Sequence, residues 1–180
     1  MQAITSSDSI ITINLFINDS YSFIEFNSIC SGDSIFWQGN YYSNNGQFYA
    51  NYSTNSGCDS NYTLNLTVNP LPQIVNIITN PSNGVLLNSN LGEIIITNSI
   101  VSDSYWVSKD SIAYSGIFTG NGTSLSLGNI YTPDTFEVWS KNNNTACFIK
   151  QSEIVFIEQF NISTSTNPTN AGSVTGVGHL

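Results

Sequence analysis

One alternation, present twice, limits this chain more than any other feature. In "NYTLNLTVN" the residues Tyr62, Leu64, Leu66 and Val68 alternate with Thr63, Asn65, Thr67 and Asn69, the period-two pattern of a strand that buries one face. An earlier stretch, "SSDSIITINLFIND", sets Ile11, Ile13, Leu15 and Ile17 at the same four places. Polar positions agree as well: Asp8 with Asp59, Ser9 with Ser60, Thr12 with Thr63, Asn14 with Asn65 and Asn18 with Asn69, at a constant offset of 59 − 8 = 51 and with Ser7 where Cys58 stands. A gapless offset marks a tandem repeat, one small supersecondary unit copied along the chain. Residues 1–19 are therefore expected to be the end of a preceding repeat.

Between the copies, "YSFIEFNSI", "SIFWQ" and "QFYANY" are rich in aromatic and β-branched residues, and Gly- and Asn-containing turns separate them. This spacing predicts a short Cys-containing β repeat of four or five strands over residues 20–70. Pro70 and Pro72 end it, because proline has no amide hydrogen for a ladder. Beyond them come seven short strand candidates about ten residues apart: "QIVNIIT", "GEIIITN", "SYWVSK", "SIAYSGIF", "TSLSLG", "DTFEVWSK" and "SEIVFIEQ". That rhythm suits a two-sheet sandwich. The expected fold class is all-β: tandem small antiparallel β modules, the second an immunoglobulin-like β-sandwich over residues 71–160. Residues 161–180, "NISTSTNPTNAGSVTGVGHL", lose the alternation and read as linker or disordered tail.

Charge excludes several partners. The chain of 180 residues carries 12 acidic residues against 3 lysines and no arginine, a net charge of −9. Such a chain repels phosphate backbones and lacks the cations that nucleic-acid binding needs. No run of 18 apolar residues occurs, so no membrane insertion by a helix is expected. "MQAITSSDS" has neither a basic nor an apolar leader region, and any signal peptide is expected to lie outside this sequence, which reads as a piece of a longer protein.

The string "ICSGDSIFWQGNYYSNNGQFYANYSTNSGCDSNYTLNLTVNP" resembles the short Cys-containing repeats of very large secreted surface proteins of the Bacteroidetes, in which a "C-x-G-D/E-S" start and a "GCDS" turn bracket each copy. The resemblance covers residues 20–70 and explains residues 1–19. The second half is similar to an Ig-like module of the same proteins, with Trp106, Gly120, Gly122, Thr132, Pro133, Phe136 and Cys147 at the pattern positions, while the earlier cysteine often found there is missing from "NPSNGVLLNSNLGEI". What the resemblance implies is an extracellular, cell-surface location, export by type IX secretion, and a role in cell adhesion or gliding. Neighbouring β modules of the same chain, a polysaccharide or another surface protein are the partners it suggests.

Cys30 and Cys58 bracket one repeat, without C-x-x-C spacing or a neighbouring histidine, so zinc is not expected. A disulfide between Cys30 and Cys58 is the economical reading, with two free core thiols as the alternative. It would stabilise a unit too small to bury much apolar surface by roughly 3 to 4 kcal/mol. Cys147 is then left over as a small buried hydrophobe.

No catalytic residue is expected. The single histidine is His179, in the tail, which removes histidine-based triads and metal sites from a folded centre. Glu25 with Asp33, or Asp134 with Glu137, could be named as paired carboxylates, yet in an antiparallel module they read as turn caps and solvated faces. No D-x-D run suggests calcium, and no cofactor or metal is expected. Aromatic residues are the remaining lead. Trp37, Tyr41, Tyr42, Tyr49, Trp106 and Trp139 could stack on sugar rings. Trp106 is expected in the sandwich core, whereas Trp139 shares a face with Glu137 and is the expected exposed contact, for a ligand or a neighbouring module. Asp-Ser-Ile triplets at Ser9, Ser34 and Ser111 match the O-glycosylation pattern of the same phylum. The N-x-[ST] sites at Asn18, Asn51, Asn61, Asn65, Asn121, Asn143 and Asn161 are mostly a product of composition. The expected function is a non-catalytic spacer and adhesion scaffold of a secreted surface protein; the alternative is a carbohydrate- or protein-binding module attached to a larger secreted enzyme.

Overall fold

A computed structural model describes residues 10–15, 20–53, 59–87, 91–164 and 174–178. The described residues are all-β, without a helix. Two compact units divide the chain: Met1–Ser28 with Ser34–Thr67, and Ile29–Asp33 with Val68–Leu180.

The first unit contains a sheet in the order β1 (Tyr21–Cys30), β5 (Asp59–Asn69), β4 (Gly46–Ser53), and a hairpin of β2 (Ile35–Trp37) with β3 (Asn40–Tyr42). The alternation of β5 works as its sequence dictates. Leu64 and Leu66 are buried, and so is Trp37. Tyr42 packs on Phe48 with ring centroids 4.2 Å apart and meets Trp37 edge-on at 6.0 Å. β5 ends at Asn69, one residue before Pro70. The earlier copy of the same pattern behaves differently: residues 10–15 form no strand, and Ile11, Ile13 and Leu15 are at least 80% exposed. Ser7, Ser9 and Ile17 lie outside the described residues.

The second unit is the sandwich. One sheet has the order β12 (Leu125–Ile130), β8 (Gly92–Ile96), β6 (Ile77–Asn80). The other runs β10 (Ile112–Ala113), β9 (Asp103–Lys109), β13 (Asp134–Asn142), β14 (Phe148–Thr164), with β11 (Phe118–Thr119) on β9 and β7 (Val85–Leu87) pairing parallel to β14. This division of strands between two sheets, with an early strand beside the last one, is the immunoglobulin-like arrangement. Ile94 and Ile96 of β8 and Leu127 and Ile130 of β12 form one core with Tyr105 and Val107 of β9, Phe136 and Val138 of β13 and Phe156 of β14. Phe136 meets Tyr114 and Phe156 edge-on, at 4.8 and 6.1 Å.

Two strands were not expected. β7 follows directly on "NPSNG", which reads as turn; Gly84, at φ +67°, accepts a hydrogen bond from Ile157 N at 3.0 Å, and a Cβ there would stand 2.7 Å from Val155 O. Only glycine fits that approach. β15 (Val174–Gly178) pairs antiparallel with the distal end of β14, so the stretch expected as linker or tail contributes a β-ribbon.

The disulfide expectation needs correction. Cys30 is bonded to Cys147, with Cα atoms 5.6 Å apart; Cys58, the expected partner, lies outside the described residues. Cys147 is thus no spare thiol, although it is fully buried. The reason is local. At the end of β1 the chain turns, Asp33 N donating to Cys30 O (2.9 Å) and Ser31 N to Asn69 O (2.8 Å), and residues 29–33 belong to the second unit. The bond joins the stretch expected as the β repeat, residues 20–70, to the one expected as the sandwich, residues 71–160; in the observed division both cysteines fall in the second unit.

It closes a span of 117 residues, which the chain-entropy account values at about 5 kcal/mol. Non-reducing peptide mapping is expected to recover the Cys30 peptide joined to the Cys147 peptide, and Cys147→Ser is expected to lower the urea midpoint accordingly. A Cys30–Cys58 peptide would contradict the structure.

Candidate functional site

The sandwich sheet carrying β9, β13 and β14 buries one face, so its other face takes every second residue. On β9 the inward pair is Tyr105 and Val107, which leaves Trp106 and Ser108 on the outer face, where Trp106 is half-buried and Ser108 is buried. On β13 the inward pair is Phe136 and Val138, which leaves Glu137 and Trp139 outward. The register places Trp139 directly opposite Trp106. Their indoles lie nearly parallel, 8° apart in plane with centroids 6.2 Å apart. Phe148 at the start of β14 adds a third ring, 6.1 Å from Trp139 and 59% exposed.

A polar network holds this aromatic surface. Trp139 Nε1 donates to Ser108 Oγ (3.0 Å) and to Glu137 Oε2 (3.2 Å), and Ser108 Oγ donates to the same carboxylate oxygen (3.1 Å). Lys150 Nζ donates to Glu137 Oε1 (3.2 Å) and Glu153 Oε2 (3.3 Å). Lys150 and Glu153 are three residues apart and would face opposite sides of a regular strand. A bulge between Val138 and Trp139 in the β13–β14 register puts both on the outer face. The same bulge turns Gln151 to donate to Ser140 Oγ (2.6 Å) and to Gln73 O (2.9 Å) while accepting from Val75 N (3.0 Å), which ties the segment before β6 to the sheet.

Charges here are compensated one by one. The Lys150 ammonium, then the Ser108 and Trp139 donors, hold the Glu137 carboxyl below the usual carboxylate range. Lys109, paired with Asp134, does the same for that carboxyl, helped by Thr135 N. These partners favour the ionised form of both carboxyls. Glu25 on β1 and Asp33 in the following turn are exposed and fall in different units.

An open groove of about 490 Å³ runs along this surface, lined by Trp106, Ser108, Ser111, Ala113, Glu137, Trp139 and Phe148. Ser111 sits at the tip of the two-residue turn between β9 and β10, where Asp110 and Ser111 both adopt positive φ (50° and 64°). Ser34 is exposed in the turn before β2, and Ser9 lies outside the described residues. Trp37 is core rather than contact, and its Nε1 has no acceptor among the described residues. Tyr42 is half-buried on Phe48; Tyr41 and Tyr49 are exposed.

Trp139 therefore faces outward as expected but is half-buried, and Trp106, expected in the core, stands beside it. "SYWVSK" permits either phase, since Tyr105, Trp106 and Val107 are all apolar. Nothing in the sequence singles out Phe148, whereas Ser108 follows from Trp106 by alternation once the phase is known. Among the described residues no group of three His, Cys, Asp or Glu could hold a metal, and no helix is long and apolar enough to cross a membrane. No protein-family model and no curated protein matches the chain.

Two outcomes follow from this geometry. Trp139→Ala removes a cross-strand ring pair and a doubly bonded N–H and is expected to cost about 1 to 2 kcal/mol in urea unfolding. Phe136→Ala, in the core, is expected to cost about 3 to 5 kcal/mol; equal costs would mean that Trp139 is a core residue. The second outcome concerns acid. Glu137 and Asp134 have folded-state values below their unfolded ones, so their contribution is present above the unfolded value and is lost as pH falls through the folded one. Melting temperature is expected to drop below about pH 4.5, and Glu137→Gln with Asp134→Asn to flatten that slope.

Proposed function

We propose that this chain is a non-catalytic segment of a secreted cell-surface protein, in which β modules act as spacer and adhesion scaffold. The observation that carries the reading is the Cys30–Cys147 bond, because disulfides persist in oxidising, extracytoplasmic surroundings. The repeat offset and the resemblance of residues 20–70 to repeats of exported Bacteroidetes surface proteins support it, and export by type IX secretion belongs to the same proposal. So does O-glycosylation at Ser34 and Ser111, both exposed, and at Ser9. The net charge of −9 disfavours nucleic acid and anionic surfaces and leaves neutral polysaccharides and proteins as partners. The second reading, a binding module attached to a larger secreted enzyme, is favoured by the aromatic groove alone.

Alkylation of thiols in the cells that make the protein, before and after reduction, tests the first reading. Cys30 and Cys147 are expected to react only after reduction; free thiols at both places would end the proposal. Incubation of the purified chain with polysaccharide and peptide substrates is expected to release no products.

A further inference from the structure

The groove over Trp106 and Trp139 has features that a spacer does not need. A cross-strand tryptophan pair by itself is ordinary sheet packing. Here it is joined by an exposed Phe148 ring on the rim and by the exposed Ser111 of the β9–β10 turn, and together they line an open groove. Flat apolar rings beside hydroxyl groups suit a ligand that has both a C–H face and hydroxyls at its edge. A pyranose is such a ligand.

Charge narrows the class. Glu137 is the one charged residue in the lining, and Lys150 neutralises it while Ser108 and Trp139 donate to it. The groove thus offers no spare anion for a cationic partner. The acidic chain around it repels uronate, sulfate and phosphate groups. The two indoles lie within 8° of parallel, which suits a flat extended chain better than the crossed planes of a cage around an ammonium group. From these observations we infer that the outer face of the β9–β13–β14 sheet is a binding site for a neutral pyranose polysaccharide, with Trp106 and Trp139 as the stacking platform, Phe148 at the rim, and the exposed Ser111 as hydrogen-bonding partner, while Ser108, buried and bonded to Glu137 and Trp139, holds the platform in place. The inference goes beyond the spacer reading, since a pure spacer has no ligand.

Native gel electrophoresis of the full chain through gels containing hydroxyethylcellulose, mixed-linkage β-glucan, xyloglucan or galactomannan tests it, with polygalacturonate as the anionic comparison. Retardation is expected in at least one neutral gel and not in polygalacturonate. Trp139→Ala is expected to weaken it at least about tenfold. Ala113→Glu, an exposed lining position, is expected to abolish it with an unchanged melting temperature, and decides the matter if the tryptophan variant fails to fold. No retardation in any neutral gel, retardation by polygalacturonate alone, or full retardation of Ala113→Glu would overturn the site. Release of sugar products by the bound chain would end the non-catalytic reading and leave the site intact, whereas loss of binding alone leaves the spacer standing.

Discussion

Burial of one face of β9 and β13 against β8 and β12 is the constraint from which the rest of the second unit follows. Tyr105, Val107, Phe136 and Val138 close on Ile94, Ile96, Leu127 and Ile130. A strand has only two phases, and a slip of one residue exchanges them completely. With these four residues inward, Trp106, Ser108, Glu137 and Trp139 have no other place than the outer face. The aromatic groove is a consequence of the core, and a chain that kept the core but changed those outer residues would keep the fold.

The disulfide acts on a different scale. Among the described residues β1, which ends at Cys30, pairs with β5 alone, and that pairing does not hold residues 29–33 to the sandwich sheets. The bond to Cys147 does, and the Ser31–Asn69 hydrogen bond adds to it. Cys147 follows the turn after β13, where Asn142 N donates to Cys147 O and Ala146 N to Asn142 O, both at 2.8 Å. Its backbone is fixed by that turn before any sulfur is considered. Residues 29–33 thus belong with the sandwich although the chain on either side of them belongs to the small unit.

Period-two alternation made β5, β8, β9, β12, β13 and β14 legible in the sequence, and proline placed the end of β5. What escaped was whatever depends on a partner distant in sequence. β7 is three residues long and owes its place to Gly84 and to the backbone of β14. Cysteine spacing cannot fix connectivity, so bracketing a repeat suggested Cys58 where the fold supplies Cys147. Trp106 was misplaced for a related reason: a run of three apolar residues leaves the phase open, and expecting a core tryptophan chose the wrong one. Trp139 lies on the outer face with Glu137, which is costly to bury, but it is half-buried there rather than exposed.

The two copies of the repeat show the same limit most plainly. Leu64 and Leu66 are buried in β5, between β1 and β4, while Ile13 and Leu15 at the matching positions are exposed and outside any strand. The two stretches share pattern and much of their sequence, so propensity cannot account for the difference. A strand's hydrogen bonds are all made to other strands, and an isolated one gains nothing to offset its ordering entropy. In β5 the flanking strands supply both the ladder and the apolar cover, and the alternation then decides only which side faces inward. The pattern specifies a face; the neighbours decide whether there is a strand to carry it.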